Sequence, residues 1–364
     1  MQIMNSSIRS ILFALIGFYQ AGCTTAEMPQ AGAPCCANTG AYAQHNPIAQ
    51  RIEWSENGGY CGETALVTAG LYYGQYVSQY DVRATLGQTQ NDQVLIETDD
   101  TGKSPLGAFL VAQSLFMKPN QFVNQLNDYK GFLSWVKSQV VLGYPVAIGV
   151  YVNYGLFTDL DEDYKDEYNH IIMVTGVESK CPLSSGYCPD DVLYFWDFGL
   201  WTGDDVPSYT SCAFSEFANS RKDADDPDGN LYSLPIGPDH SGDGVYAYGL
   251  AITGITDPDL QITVPLTVTA SVAGDCSACP DLSGKCSAGE CPEIGSNNLR
   301  PAIPNPPTLT VKATNPGTGT YNLYLYTTLD KSSKTLVGTL SSQNNFTVTY
   351  PSAPPIAIFR AVAN

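Results

Sequence analysis

Catalysis by cysteine needs a thiol that can give up its proton and a base placed to take it. The stretch Asn57-Gly58-Gly59-Tyr60-Cys61-Gly62-Glu63 offers the thiol. Gly58-Gly59 is a turn signal. After it, Ala65, Leu66, Ala69 and Tyr72 or Tyr73 recur at helical spacing, so the sequence predicts a helix over 61–73 with Cys61 at its N-terminus. Backbone N–H groups at a helix start stabilise a thiolate, as a neighbouring histidinium does. Gly58, Gly59 and Gly62 leave the sulfur approachable, and the backbone N–H of Cys61 is a natural half of an oxyanion hole.

The chain has only three histidines. His45 falls in an Ala- and Pro-rich stretch, and His240 in a Pro/Asp/Ser/Gly loop. His170 instead begins the apolar run His170-Ile171-Ile172-Met173-Val174-Thr175-Gly176-Val177, a strand pattern whose rigid backbone can fix a ring. It is the candidate base. A third group should orient the imidazole and stabilise its charged form. Asp197, at the end of the next strand-like run Val192–Phe198, is placed to do so.

The elements that must position these residues change character along the chain. Helical patterns span Pro105–Met117 and Tyr129–Leu142, the second closed by Gly143. Short β-branched or aromatic runs follow at Pro145–Val152, His170–Val177, Val192–Phe198 and Tyr246–Ile255. Helices first and antiparallel strands afterwards predict an α+β fold. From Leu260 onward only strand-like segments occur, broken by a Pro/Gly/Cys-rich loop at 274–306, which predicts a small all-β, sandwich-like C-terminal domain. The expected organisation is a signal segment (1–22), a tether (23–49), a domain carrying the candidate site (50–257) and the β-rich domain (258–364).

Charge and cysteines narrow the setting. The net charge of -19, from 36 acidic and 17 basic residues, repels phosphate backbones and anionic membranes, which argues against nucleic-acid binding; it would attract cationic peptides, but its plainer reading is solubility in a secreted setting. The acidic run Asp159–Asp163 has carboxylates enough for a calcium loop. However, Tyr164 and His170 stand where such a loop needs Gly and Glu, so no metal is expected there. Tyr72, Tyr73, Tyr76 and Tyr80 are spaced for core packing. Arg9, the apolar run Ile11–Phe18 and Ala21-Gly22-Cys23 read as a signal peptide too short to span a ~30 Å hydrocarbon core. The last three residues also resemble a lipobox, with Cys23 as a possible lipid anchor. No later segment is apolar enough to cross a membrane. Secretion suits a cysteine count of eleven: Cys181/Cys188 and the set Cys276, Cys279, Cys286, Cys291 suggest disulfides, with a zinc site as the rival for the latter.

The order Cys61, His170, Asp197 resembles the papain-like cysteine peptidase superfamily. Within it, the chain is most similar to the bacteriocin-processing, double-glycine-type peptidases and their free-standing relatives. The resemblance rests on Cys61-Gly62 opening a helix, on His170-Ile171-Ile172-Met173-Val174-Thr175-Gly176, and on Asp197, and it covers roughly residues 50–257. It implies a papain-like fold and a thiol hydrolase, acting on peptide or protein substrates through a thioester with no cofactor. Family members carry a glutamine shortly before the cysteine to complete the oxyanion hole. Ser55 stands at that position, and Asn57 is the expected substitute. The exporter-type relatives are fused to a membrane transporter that has no counterpart here. The rival expectation is a papain-like scaffold with a silent site, serving as an extracellular binding or adhesion module.

Overall fold

The computed structural model describes residues 41–49, 51, 53, 59–85, 93–98, 104–123, 128–152, 168–198, 208–217, 232–234, 247–256, 263–270, 308–313, 319–341, 347–350 and 356–363. The signal and lipobox residues with Cys23, Asn57, the acidic run 159–163, His240 and the set Cys276–Cys291 lie outside them.

The chain opens with β1 (Tyr42–His45), α1 (Cys61–Tyr72), β2 (Gln75–Val77), α2 (Gln79–Ala84), β3 (Ile96–Thr98) and β4 (Pro105–Gly107). It continues with α3 (Ala108–Ser114), β5 (Met117–Gln121), α4 (Tyr129–Val141), β6 (Val146–Val152), β7 (His170–Ser179) and β8 (Val192–Asp197). Then come β9 (Ser208–Ala213), α5 (Phe214–Phe217), β10 (Tyr232–Ser233) and β11 (Gly249–Ile255). The C-terminal part contains β12 (Thr263–Val264), β13 (Leu266–Ala270), β14 (Leu309–Ala313), β15 (Thr320–Tyr326), β16 (Thr335–Ser341), β17 (Thr347–Tyr350) and β18 (Ile356–Ala363). Every strand pair among the described residues is antiparallel, and the fold is α+β at this level.

An eight-stranded sheet forms the frame, in the order β5-β11-β6-β7-β8-β9, with β1 added to β7 and β10 to β6. Its central strand is buried on both faces. Ile171 and Met173 of β7 belong to the core around α1, whereas Ile172 and Val174 belong to the core under α4. This explains why β7 reads as an unbroken apolar run rather than an alternating one. α4 is amphipathic as its spacing predicts. Its N-cap Asp128 accepts from the N–H of Gly131 at 2.8 Å, and Gly143 beyond its end has φ 87, a left-handed conformation that glycine adopts without strain.

Two expectations change. Residues 42–45, placed in the tether, form β1 and pair with β7 from Gly176 to Ser179, because that stretch of β7 lies beyond the reach of β6 and needs a partner for its backbone. The Pro105–Met117 pattern divides into β4, α3 and the start of β5. Gly107, at φ 47, turns the chain into the helix, and Ala108 N–H bonds the carbonyl of Leu95 at 2.7 Å.

The C-terminal strands are not packed apart from the rest. β2 joins β18, giving the sheet order β12-β18-β15-β16 a fifth strand from the first third of the chain. Leu266, Val268, Leu309, Val311, Leu323 and Phe359 share one core with α1. Buried Arg360 donates to Gln75 Oε1 at 2.9 Å, and Gln75 Nε2 donates to the carbonyl of Leu115 at 2.8 Å, so β18, β2 and the end of α3 are tied by one polar chain. The composition change near 258 therefore does not mark a break in the core. A chain ending at residue 257 would expose the apolar faces of α1 and β2. It is expected to be insoluble or to lack a cooperative thermal transition; a soluble product melting like the full chain would contradict this.

Candidate active site

α1 is a helix buried on every side: all residues from Gly62 to Leu71 are enclosed. It packs against β7 of the large sheet and against β2 and β13 of two others. Burying Leu66, Val67 and Leu71 contributes roughly 1.5–3 kcal/mol each relative to exposure. A helix enclosed in this way presents chemistry only at its ends, and Cys61 is its first residue.

The approach to that end is set by Gly59 and Tyr60. Gly59 has φ 90, and a Cβ there would lie 3.1 Å from Glu53 Oε1. Tyr60 precedes the helix without a side-chain cap, and its N–H instead donates to Glu53 Oε1. Gly62 serves packing more than access. A Cβ on it would lie 1.8 Å from the carbonyl oxygen of Val94, so the segment entering β3 can press on the first turn only if this residue is glycine.

Glu63, in the first turn of α1, is buried and paired. Arg83 Nε donates to its Oε1 at 2.6 Å and the N–H of Val94 at 3.1 Å. Arg83 also donates to the carbonyl of Gly59 and lies over the Tyr60 ring, 3.4 Å from its centroid. The guanidinium thus clamps the turn before Cys61 to α2. Burial raises the Glu63 carboxyl above its ordinary range and Arg83 opposes that rise.

His170 opens β7 and Asp197 closes β8, as the sequence predicts. The register Met173↔Trp196 brings these two strand ends together. His170 Nε2 lies 3.7 Å from Asp197 Oδ1, with both residues buried. Nε2 is thus turned towards the aspartate. The other carboxylate oxygen of Asp197 accepts from Tyr232 Oη. The structure also brings the thiol to the base: the Cys61 sulfur, a ring nitrogen of His170 and a carboxylate oxygen of Glu53 all lie within 4.8 Å of one another.

Burial decides the protonation of this group. It pushes the Cys61 thiol well above its ordinary value, assisted by the charges of Glu53 and Glu63; contacts with the backbone of Ile171 and Gly62 work the other way. It pushes the His170 imidazole well below its ordinary value. Cys61 keeps part of its residue surface in contact with solvent. The helix start and histidine were expected to give a resting thiolate. Enclosure outweighs them, and the resting pair is neutral thiol and neutral imidazole. Glu53 is raised to about 8, mainly by burial, with Glu63 and Asp197 adding to the rise and the Tyr60 N–H and Arg83 opposing it.

Glu53, Tyr232 and Arg83 were not singled out from the sequence. Glu53 sits in the unpatterned stretch Arg51–Glu56, and Tyr232 lies in a strand of only two residues. An acidic residue just upstream of a candidate nucleophile was the only signal available. The trio of Glu53, Cys61 and His170 is the one metal-like donor cluster among the described residues. Elsewhere, the sulfurs of Cys181 and Cys188 lie 3.4 Å apart, against about 2.0 Å in a disulfide. Cys212 is a free thiol that donates to Glu216 at 3.2 Å. No helix among the described residues is long and apolar enough to cross a membrane.

Compared with known families, with curated proteins and with solved structures, the chain matches none.

The Glu53 shift has a consequence for stability. Its carboxyl titrates near 4.5 when unfolded and about 8 when folded. Between those values the unfolded chain has released a proton that the folded chain holds, so stability falls as pH rises from about 4.5 and levels off above about 8. Glu53→Gln removes this dependence. It is expected to exceed the wild type by on the order of 3 kcal/mol at pH 7 and to match it at pH 4. Urea denaturation at both pH values measures the difference; an equal difference at both would show that Glu53 does not hold its proton.

Proposed function

We propose that the protein is a thiol hydrolase, a peptidase or amidase of the papain-like kind, acting outside the cytoplasm. One observation carries the reading: the Cys61 sulfur lies within 4.8 Å of a His170 ring nitrogen, and His170 Nε2 lies 3.7 Å from Asp197 Oδ1. The nucleophile opens a helix, the base opens a strand, and the orienting carboxylate ends the next strand. These are the positions that the papain-like resemblance assigns to them. The extracellular setting rests on the sequence of the N-terminal segment alone, as does the lipid anchor at Cys23.

The neutral resting pair sets the order of events. As the Cys61 sulfur bonds to a substrate carbonyl carbon, its proton passes to His170. The imidazole is neutral and so able to accept it, and the negative Asp197 stabilises the imidazolium that forms. Collapse of the tetrahedral species breaks the carbon–nitrogen bond, and His170 returns the proton to the departing amine. Water, deprotonated by the same ring, then hydrolyses the thioester and restores the thiol. The separations are longer than catalytic hydrogen bonds, as is common before substrate is bound.

The same neutral state favours a second reading, a silent scaffold used as an extracellular binding module. Acylation separates the two. Incubated with an activated acetyl ester, the wild type is expected to gain one acetyl group on Cys61, mapped by peptide mass spectrometry. His170→Ala should slow this at least 10²-fold and Asp197→Ala by about 10²-fold, within the range of general-base contributions. Acylation spread over other side chains, or unaffected by His170→Ala, would overturn the hydrolase and leave the binding module.

A further inference from the structure

We propose that Glu53 donates, through a carboxylic O–H, the side-chain hydrogen bond to the carbonyl oxygen attacked by Cys61. The proposal rests on the thiol hydrolase reading and assigns to Glu53 the side-chain donor role expected of Asn57, which lies outside the described residues.

The geometry is specific. The Glu53 carboxyl is one of three groups converging within 4.8 Å, the other two being the nucleophile and its base. The residue is only 4% exposed. Its Oε1 accepts from the Tyr60 N–H, which fixes the carboxyl against the turn preceding Cys61 and leaves the proton to the other oxygen. A carboxylate in this place would be harmful, since it would repel the negative charge developing on the carbonyl oxygen. A carboxylic acid does the opposite, acting as a short, strong donor to that oxygen.

The surroundings keep it an acid. Glu63 on α1 and Asp197 on β8 place negative charge towards it; Arg83 on α2 opposes them and is itself engaged by Glu63. Cys61 and His170 are neutral at rest. Held at about 8, Glu53 is predominantly protonated at pH 7. Together with the backbone N–H of Cys61, it supplies two donors to one oxygen. In the step itself, the sulfur–carbon bond forms, the Cys61 proton moves to His170, and the carbonyl π pair moves to the oxygen, which accepts a hydrogen bond from Glu53. The electron pair returns as the carbon–nitrogen bond breaks, and Glu53 ends the cycle with its own proton.

The test is a pH profile of Cys61 acylation by the activated ester, for wild type, Glu53→Gln and Glu53→Ala. The wild-type rate should fall above about pH 8, where the donor ionises. Glu53→Gln carries an amide donor that does not titrate, and should move that alkaline limb upward by more than one pH unit. Glu53→Ala should lose 10²–10³-fold and show no limb near 8. Absence of Cys61 acylation in the wild type removes the hydrolase reading and this proposal together. Acylation that depends on His170 but keeps the same limb in Glu53→Gln, or the same rate in Glu53→Ala, overturns this proposal alone. A second measurement does not depend on the variants acylating: infrared titration of the wild type should show a carboxylic acid carbonyl band that bleaches near pH 8 and is missing from Glu53→Gln. No such band at pH 7 also overturns the proposal.

Discussion

Residues Gly62 to Leu71 are buried without interruption, so α1 meets solvent and substrate only through its ends. Everything else in the site follows from that enclosure. The helix must be apolar or internally paired all round: Ala, Leu and Val fill most of it, Glu63 is paired with Arg83, and the Thr64 and Thr68 hydroxyls donate to the carbonyls of Tyr60 and Thr64. Its first turn must be brought up to the large sheet without a polar cap, which the Glu53 carboxyl and the Arg83 guanidinium arrange from outside the helix. The ionisable groups gathered there must be neutral or paired, because uncompensated charge in such a place costs several kcal/mol. Glu63 is paired with Arg83, Glu53 keeps its proton, and Cys61 and His170 rest uncharged.

This enclosure makes the C-terminal strands part of the architecture that holds the candidate site. They cover α1, lend β18 as the partner of β2, and fasten it through Arg360 and Gln75. The large sheet carries His170 and Asp197 at adjacent strand ends, while the helix held against it carries Cys61. Only when both layers are in place do thiol and imidazole meet.

Much of this was legible in the sequence where a single rule governs. The helix spacing after Gly59, the glycine after α4, and the β-branched runs of β6, β7 and β8 identified those elements closely. So did the pairing of a helix-start cysteine with a strand-start histidine. Other parts were hidden because long-range pairing decides them. β1 and β2 are short polar or aromatic segments that are strands only because β7 and β18 have unpaired edges beside them. Glu53 and Tyr232 have no pattern at all, and their roles exist only through Tyr60 and Asp197. The protonation of the pair also ran against the local rule: a helix start favours thiolate, but that favour is smaller than the cost of enclosing the charge.

The most direct test of a carbonyl-directed nucleophile in this setting is a crystal structure of the protein with a peptide aldehyde, which mimics the tetrahedral species. A hemithioacetal is expected on the Cys61 sulfur, with its oxygen within hydrogen-bond distance of the Glu53 carboxyl and the Cys61 N–H, and with the His170 ring beside the sulfur. Aldehyde bound without a bond to Cys61, or joined to it with the oxygen turned away from Glu53 and towards open solvent, would contradict it.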